Sequence, residues 1–289
     1  MDKMRRILVY VCKDGAAQQR AQFVQSITGH FSDGGRDEVE VNCSLDKNQF
    51  VLHRAERGRG IPLQVRRTTG ASAIPLDVQQ RGIDVGVAII LQTANQRVLL
   101  TRRAKELRIF PNVWVPPGGH VEPDETLLDA GLRELQEETG LKLEQQEVSP
   151  KILGLWESVY PPMLSRGLPQ RHHIVIYMLL LSSLSHLQLQ ASLSPSPAEV
   201  SACLWADSRL VRAIVSAVDG GEGEVQVDGL PGSISVSQVS TEGALSDSTL
   251  PVSVLISRAP VSGPDVERVS TGTKFALELW LKSLETSDL

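Results

Sequence analysis

Glu134, Glu137 and Glu138 fall within a run of five residues. In a helix, residues three and four apart share a face, so the three carboxylates project together. Like charges at that spacing repel by roughly a few tenths of a kcal/mol even on an exposed helix. A cation relieves the repulsion. Hard divalent cations take carboxylate oxygens, and Mg²⁺ is usually held by one or two carboxylates together with substrate phosphates. Leu128, Leu132 and Leu135 form a second stripe on the same segment, turned from the acids toward a core. Gly118 and Gly119 stand just before it, where a backbone without side chains can turn tightly and approach a phosphate. Arg133 is expected on a different face, placed to hold Glu125 by an ion pair. The plain alternative is a solvated acidic surface.

The stretch from Gly119 to Leu141 reads GHVEPDETLLDAGLRELQEETGL. It resembles the Nudix box: Gly, five residues, Glu, seven residues, then Arg-Glu-apolar-x-Glu-Glu-x-Gly-apolar. Gly119, Glu125, Arg133, Glu134, Leu135, Glu137, Glu138, Gly140 and Leu141 fill the pattern without a departure. At ordinary residue frequencies such a coincidence has a probability on the order of 10⁻⁷. The resemblance implies an α/β fold: a Nudix α/β/α sandwich around a mixed sheet, here preceded by a small α/β N-terminal unit. It also implies water attack on phosphorus, assisted by Mg²⁺ or Mn²⁺, that splits a nucleoside diphosphate linkage. By the same resemblance Glu134 and Glu138 are metal ligands. Glu137 is a third ligand or the base that orients water. Glu199 is a second candidate for base or ligand, with an ordinary exposed glutamate as the equal alternative.

Other residues bear on the substrate. Arg102 and Arg103 end a strand upstream of the box. Family sandwiches often place an arginine there against phosphate, and a guanidinium suits bidentate phosphate contact. Arg103 is the one assigned to substrate. Trp114 reads as packing under the glycine loop. Tyr160, in a loop that looks like a specificity element, is a candidate for stacking on a nucleobase or for loop packing. His172 and His173 are adjacent in a strand and face opposite sides, so they make a poor metal pair with each other.

Flanking segments extend the resemblance to one vertebrate Nudix member: LQTANQRVLLTRRA, WVPPGGHVE, LGLWESVYPP, HHIVIY and RVSTGTKFALELWL. This implies decapping of m⁷G-capped RNA. Free nucleotide derivatives of the NADH, coenzyme A, ADP-ribose or dNTP type remain the alternative substrates. A nucleotide-binding scaffold without turnover is the alternative outside enzymology. Arg54, Arg57, Arg59, Arg66 and Arg67 supply a basic stretch, read as solvated linker charge before it is read as an RNA contact.

The elements that must position these residues follow from periodicity. Residues 1–65 read as the small α/β unit, with a strand at Ile7–Val11, a helix over Gln18–Ile27 and a hairpin at residues 39–52. Residues 66–82 read as a linker and 83–218 as the Nudix domain, with Ile83–Leu91 its buried strand and Val200–Trp205 its last. Residues 219–250, rich in Gly and Ser without sustained period, read as a mobile insertion. Residues 251–289 supply a returning strand at Val252–Ile256 and an amphipathic helix anchored by Phe275, Leu279 and Leu284. The net charge of −5 does not draw the chain to nucleic acid or anionic lipid as a whole. Cys12, Cys43 and Cys203 are far apart and suggest neither a disulfide framework nor a zinc site. A reducing compartment, the cytosol, is the expectation. No apolar run reaches the length of a membrane span.

Overall fold

The computed structural model describes residues 6–13, 17–32, 37–56, 58–65, 75–161, 167–225, 227, 229–261 and 265–287. Its first elements are β1 (Leu8–Cys12), β2 (Gln19–Arg20), α1 (Ile27–Phe31), β3 (Glu38–Asp46), β4 (Gln49–Arg54), β5 (Ile61–Val65), α2 (Leu76–Gln79) and β6 (Asp84–Gln92). Around the acidic segment come β7 (Val98–Arg103), β8 (Val113–Val115), β9 (Gly118–His120) and α3 (Leu127–Thr139). Next are β10 (Ser149–Tyr160), β11 (Arg171–Leu181), α4 (His186–Gln190), β12 (Val200–Ala206) and α5 (Ser208–Ser216). The chain closes with β13 (Ser233–Val239), β14 (Leu245–Pro251), α6 (Val252–Leu255), β15 (Arg268–Val269) and α7 (Thr271–Ser287). Parallel and antiparallel pairings both occur, which makes this an α/β protein with a mixed sheet.

The chain divides into two compact units, and the division does not fall at residue 65. The first unit comprises Met1–Ala88, Gly119–Gly131 and Ile152–Tyr177. In it β1 runs parallel to β4 and antiparallel to β2, β3 pairs antiparallel with β4 and β5, and β5 runs parallel to β10. The helix expected over Gln18–Ile27 is a correction. Gln19 and Arg20 instead pair with Val11 and Tyr10, and the helix begins only at Ile27. The reason is where the helix start finds its caps. Ser26 accepts from the Gly29 N–H at 3.0 Å. The buried Glu157 carboxylate accepts from the Ile27 and Thr28 N–H groups at 2.8 and 3.0 Å. These satisfy donors that a helix N-terminus otherwise leaves unpaired.

The second unit comprises Ile89–Gly118, Leu132–Lys151 and Met178–Leu289. Here β12 lies antiparallel between β7 and β13, β14 pairs with β13, and β8 joins β7 to β15. Within residues 219–250, read as a mobile insertion, residues 233–250 instead form the β13–β14 hairpin. Ser233–Val239 pairs along its length with β14, and Val236, Ser237 and Val239 are buried. Its serine content reads as loop in the sequence. Val252–Ile256 does not return to the sheet. Pro251 ends β14 and caps the short α6 instead. The C-terminal helix is present, but Ala276, Leu277, Trp280 and Leu281 are buried alongside Phe275, whereas Leu279 and Leu284 are only half-buried. Trp280 Nε1 donates to Gln92 Oε1 at 2.7 Å. Of the linker expected over residues 66–82, positions 66–74 lie outside the described residues, as do Arg57, Arg66 and Arg67.

Candidate active site

Helix α3 starts where Thr126 and Asp129 cap each other: Thr126 Oγ1 accepts from the Asp129 N–H at 3.1 Å, and Asp129 Oδ2 accepts from the Thr126 N–H at 3.2 Å. It runs for 13 residues and stops before Gly140, as its sequence predicts. Leu135 on the apolar stripe is fully buried, and Leu128 and Leu132 are half-buried.

The C-terminal half of α3 is docked on the segment that leads into β12. The Ser194 N–H donates to the Thr139 carbonyl at 2.8 Å, and the Ser196 N–H donates to the Glu138 carbonyl at 3.0 Å. Gly140 adopts φ +74°, and a Cβ there would meet Ser194 Cβ and O at 2.8 Å. From Ser196 the chain turns through Glu199, whose carbonyl accepts from the Ala104 N–H at 2.8 Å. Val200 is paired with Arg103 across β12 and β7. Glu138, Glu199 and Arg103 are thereby brought to one place by three different elements of the second unit.

Electrostatics there is dominated by burial of charge. Glu138 is 6% exposed. Burial first, then Glu199 and Glu134, push its carboxyl up to about 8, against the opposing pull of Arg103 and a hydrogen bond from the Gly118 N–H. Glu134 is pushed up by burial, with Arg133 opposing and Glu137 and Glu199 adding to the rise. Burial also lowers the Arg103 pKa, while Glu138 and Glu199 hold it up. Desolvated carboxylates that destabilise one another are the donor set a divalent cation relieves, and carboxylate oxygens are the ligands a hard cation prefers. The chemistry of these residues therefore fits such an ion. Arg133 corrects the expectation that it faces away. Its Nη1 lies 2.8 Å from Glu134 Oε1 and 3.1 Å from Glu137 Oε2.

Comparison with known proteins gives the family. Residues 82–215 match the NUDIX domain family. Over 99% of its length the chain is 60% identical to the m7GpppN-mRNA hydrolase NUDT17 of Danio rerio, covering 98% of that protein. The chain belongs to the Nudix hydrolase family. It is also 48% identical to the protein of the same name from Xenopus laevis, covering 99% of this chain and 98% of the relative. To that from Homo sapiens it is 44% identical, covering 92% and 85% respectively.

Within this Nudix chain the remaining sequence candidates fall as follows. Arg102 and Arg103 diverge, as adjacent strand residues do. Arg102 donates to Ser201 Oγ at 2.8 Å, Glu267 Oε1 at 3.1 Å and Gln238 Oε1 at 3.2 Å, and lies over the Trp114 ring. Arg103 is on the carboxylate side, with its Nε on the Ile109 carbonyl at 3.1 Å. Trp114 is fully buried and donates to Glu267 at 3.0 Å, a packing role. Glu125 lies in the first unit, where it accepts from the Glu122 N–H at 3.0 Å. Tyr160, half-buried at the end of β10, also belongs to the first unit.

Gly118 and Gly119 correct the expectation of a tight turn. They run extended in β9, and the freedom they use is closeness. Gly86 was missed by sequence reasoning. A Cβ on Gly86 would sit 3.1 Å from the Gly119 carbonyl oxygen, so β6 is bare of a side chain where the loop crosses it. The loop is strapped on both sides of that point, Ile89 N–H to Pro117 O at 2.8 Å and Val121 N–H to Val85 O at 3.1 Å. The Ser194-Pro195-Ser196-Pro197 run was also missed. Two prolines in four residues signal a constrained approach to β12, but not what it docks on.

Proposed function

We propose that this chain hydrolyses the phosphoanhydride bridge of m⁷G-capped RNA. One observation carries the substrate: near-full-length identity of 60% to an m7GpppN-mRNA hydrolase, with the complete set of box residues in place. Glu134 and Glu138 hold the divalent cation, Mg²⁺ or Mn²⁺. When bound, such an ion would supply charge to polarise the phosphate and offset charge developing on its oxygens. Arg103 binds a neighbouring phosphate oxygen. We assign proton acceptance from the attacking water to Glu199, which stands beside Glu138 and Arg103, while Arg133 engages the Glu137 carboxylate at 3.1 Å. Glu137 and Arg133 then hold Glu134 in place at the rim. Gly118 lets the backbone approach the phosphates, and in the first unit Tyr160 is the candidate for stacking on a nucleobase. The protein works in the cytoplasm on this reading. No helix among the described residues is long and apolar enough to cross a membrane.

A product screen tests the substrate. Capped RNA, NAD-capped RNA, NADH, coenzyme A, ADP-ribose and oxidised dNTPs are each incubated with Mg²⁺ and with Mn²⁺. Release of m⁷G nucleotides, with capped RNA turned over fastest, is the expected result. Faster turnover of a free nucleotide derivative would reassign the substrate, and binding without turnover in either metal would leave a scaffold.

A further inference from the structure

A second cluster of metal-ligating side chains lies in the first unit, on residues to which the reaction above gives no role. Asp84 opens β6, His120 ends β9 and His173 lies near the start of β11. One ligating atom from each of the three is within 4.8 Å of the others. His120 Nε2 and His173 Nε2 are 3.2 Å apart, with the ring planes tilted at 56°.

Strand alternation separates the two adjacent histidines. His172 turns inward to the Glu157 carboxylate at 3.0 Å and the Phe23 carbonyl at 2.6 Å. His173 turns to the opposite side and meets His120. The pairing in this cluster is therefore between histidines from different strands, which no reading of the His-His dipeptide reveals.

Distance and ligand type identify the occupant. Zinc–nitrogen bonds of about 2.0–2.1 Å at a tetrahedral angle place two imidazole nitrogens roughly 3.3–3.4 Å from each other. The two Nε2 atoms already stand near that separation. Two imidazoles and one carboxylate, with a further position left open, is the ligand composition of open zinc sites. Imidazole nitrogen suits Zn²⁺, Co²⁺ or Ni²⁺, whereas Mg²⁺ prefers oxygen. We propose that Asp84, His120 and His173 form a second metal site, selective for a borderline-soft divalent cation of the zinc class and separate from the all-carboxylate site on α3. His120 is exposed, so the fourth position opens to solvent.

The surroundings are consistent with ligation. Asp84 is 7% exposed, and Arg6 Nη2 holds its Oδ1 at 2.6 Å. Ligating carboxylates are commonly held by a second hydrogen-bonding group, and a carboxylate has a second oxygen to offer. Arg6 and Arg171 are the cationic groups facing the site, and both oppose a metal ion. The carboxylate of Asp84 is the group that offsets them.

The test uses the full chain carrying Glu134→Gln and Glu138→Gln, which removes the helix site. Co²⁺ is titrated in and followed by its visible absorption, then displaced with Zn²⁺ or Mg²⁺. One equivalent of Co²⁺ is expected, displaced by Zn²⁺ and not by Mg²⁺. Adding His120→Ala, at an exposed position, should weaken binding at least about 10-fold in protein shown by circular dichroism to be folded, and Asp84→Asn should do likewise. If the double Gln background does not fold by circular dichroism, the wild-type chain saturated with Mg²⁺ is used instead. Folded protein that takes up no Co²⁺, or takes it up equally well after His120→Ala, overturns the proposal.

Discussion

The Glu138 carboxylate accepts a hydrogen bond from the Gly118 backbone N–H. The most buried acid of α3 is thus tied to the glycine loop, so the position of the carboxylate and the position of the loop are set together. Glu138→Gln separates function from stability at this point. The amide keeps the size and the acceptor oxygen but loses the charge. Turnover should fall at least about 100-fold, since a metal's charge stabilisation is worth several kcal/mol and each 1.36 kcal/mol is tenfold. Stability of the metal-free protein should move the other way. A carboxyl raised to about 8 in the folded state weakens the fold wherever the unfolded chain is ionised and the folded group resists ionisation. Thermal midpoints in EDTA at pH 8 should therefore be higher for the variant, and Mn²⁺ should stabilise the wild type more than the variant. A variant that loses both activity and metal-free stability would mark Glu138 as structural.

Arg102 and Arg103 make a matched pair of controls because the strand sends them to opposite sides. Arg103→Lys keeps the charge but loses the planar fork that grips phosphate. Its KM should rise about 10-fold, a loss comparable to one charge-assisted hydrogen bond. Arg102→Lys loses contacts to Ser201, Glu267 and Gln238 and should lower the thermal midpoint with little change in KM. Steady-state kinetics and calorimetry on both variants decide the matter. Equal KM effects would mean that the alternation does not assign the phosphate contact.

The contrast shows what the sequence could and could not disclose. The acid helix, its length and its stop at Gly140 are local properties, so spacing and a single glycine disclose them. Which of two adjacent arginines meets the acids depends on the register of β7 against β12, a long-range fact. Arg133 was misplaced because a flexible side chain can reach back across its own helix turn to Glu134 and Glu137. The β13–β14 hairpin was missed because its serines look like loop composition, although Ser237 is buried in a strand paired along its length with β14. Gly86 was invisible for a related reason: its need arises from the Gly119 carbonyl, 33 residues away in sequence and 3.1 Å from where its Cβ would be.

Gly140 gives a test of how the helix end positions Glu199. Alanine at φ +74° is strained by roughly 1–2 kcal/mol, and its Cβ would also collide with Ser194. Gly140→Ala should lower the thermal midpoint by several degrees and reduce kcat, because the segment it displaces carries Glu199 through Ser196. Gly220→Ala is the control, since that glycine has φ +81° with open space around it. It should show the backbone strain alone and leave kcat unchanged. Loss of kcat in both variants would detach the effect from the Ser194 contact.

Glu157 provides a pH test of the fold. Burial alone pushes its carboxyl up, but the His172 hydrogen bond and charge, with the N–H groups of Thr28 and Ile27, outweigh that and hold it below the usual range. An acid whose folded pKa lies below its unfolded value adds stability above the unfolded value, about 4.3 for Glu. That stability is lost as pH falls through the folded value. Glu157→Gln lacks the charge at every pH. Wild type should therefore be more stable than the variant by about 2 kcal/mol near pH 7, in line with hydrogen bonds to a charged group. The gap should persist to about pH 5 and close progressively below about 4.3. Urea midpoints of both proteins at pH 7, 5 and 3.5 measure it. A gap that stays constant down to pH 3.5 would mean that Glu157 holds the start of α1 by shape and neutral hydrogen bonding, with no contribution from its charge.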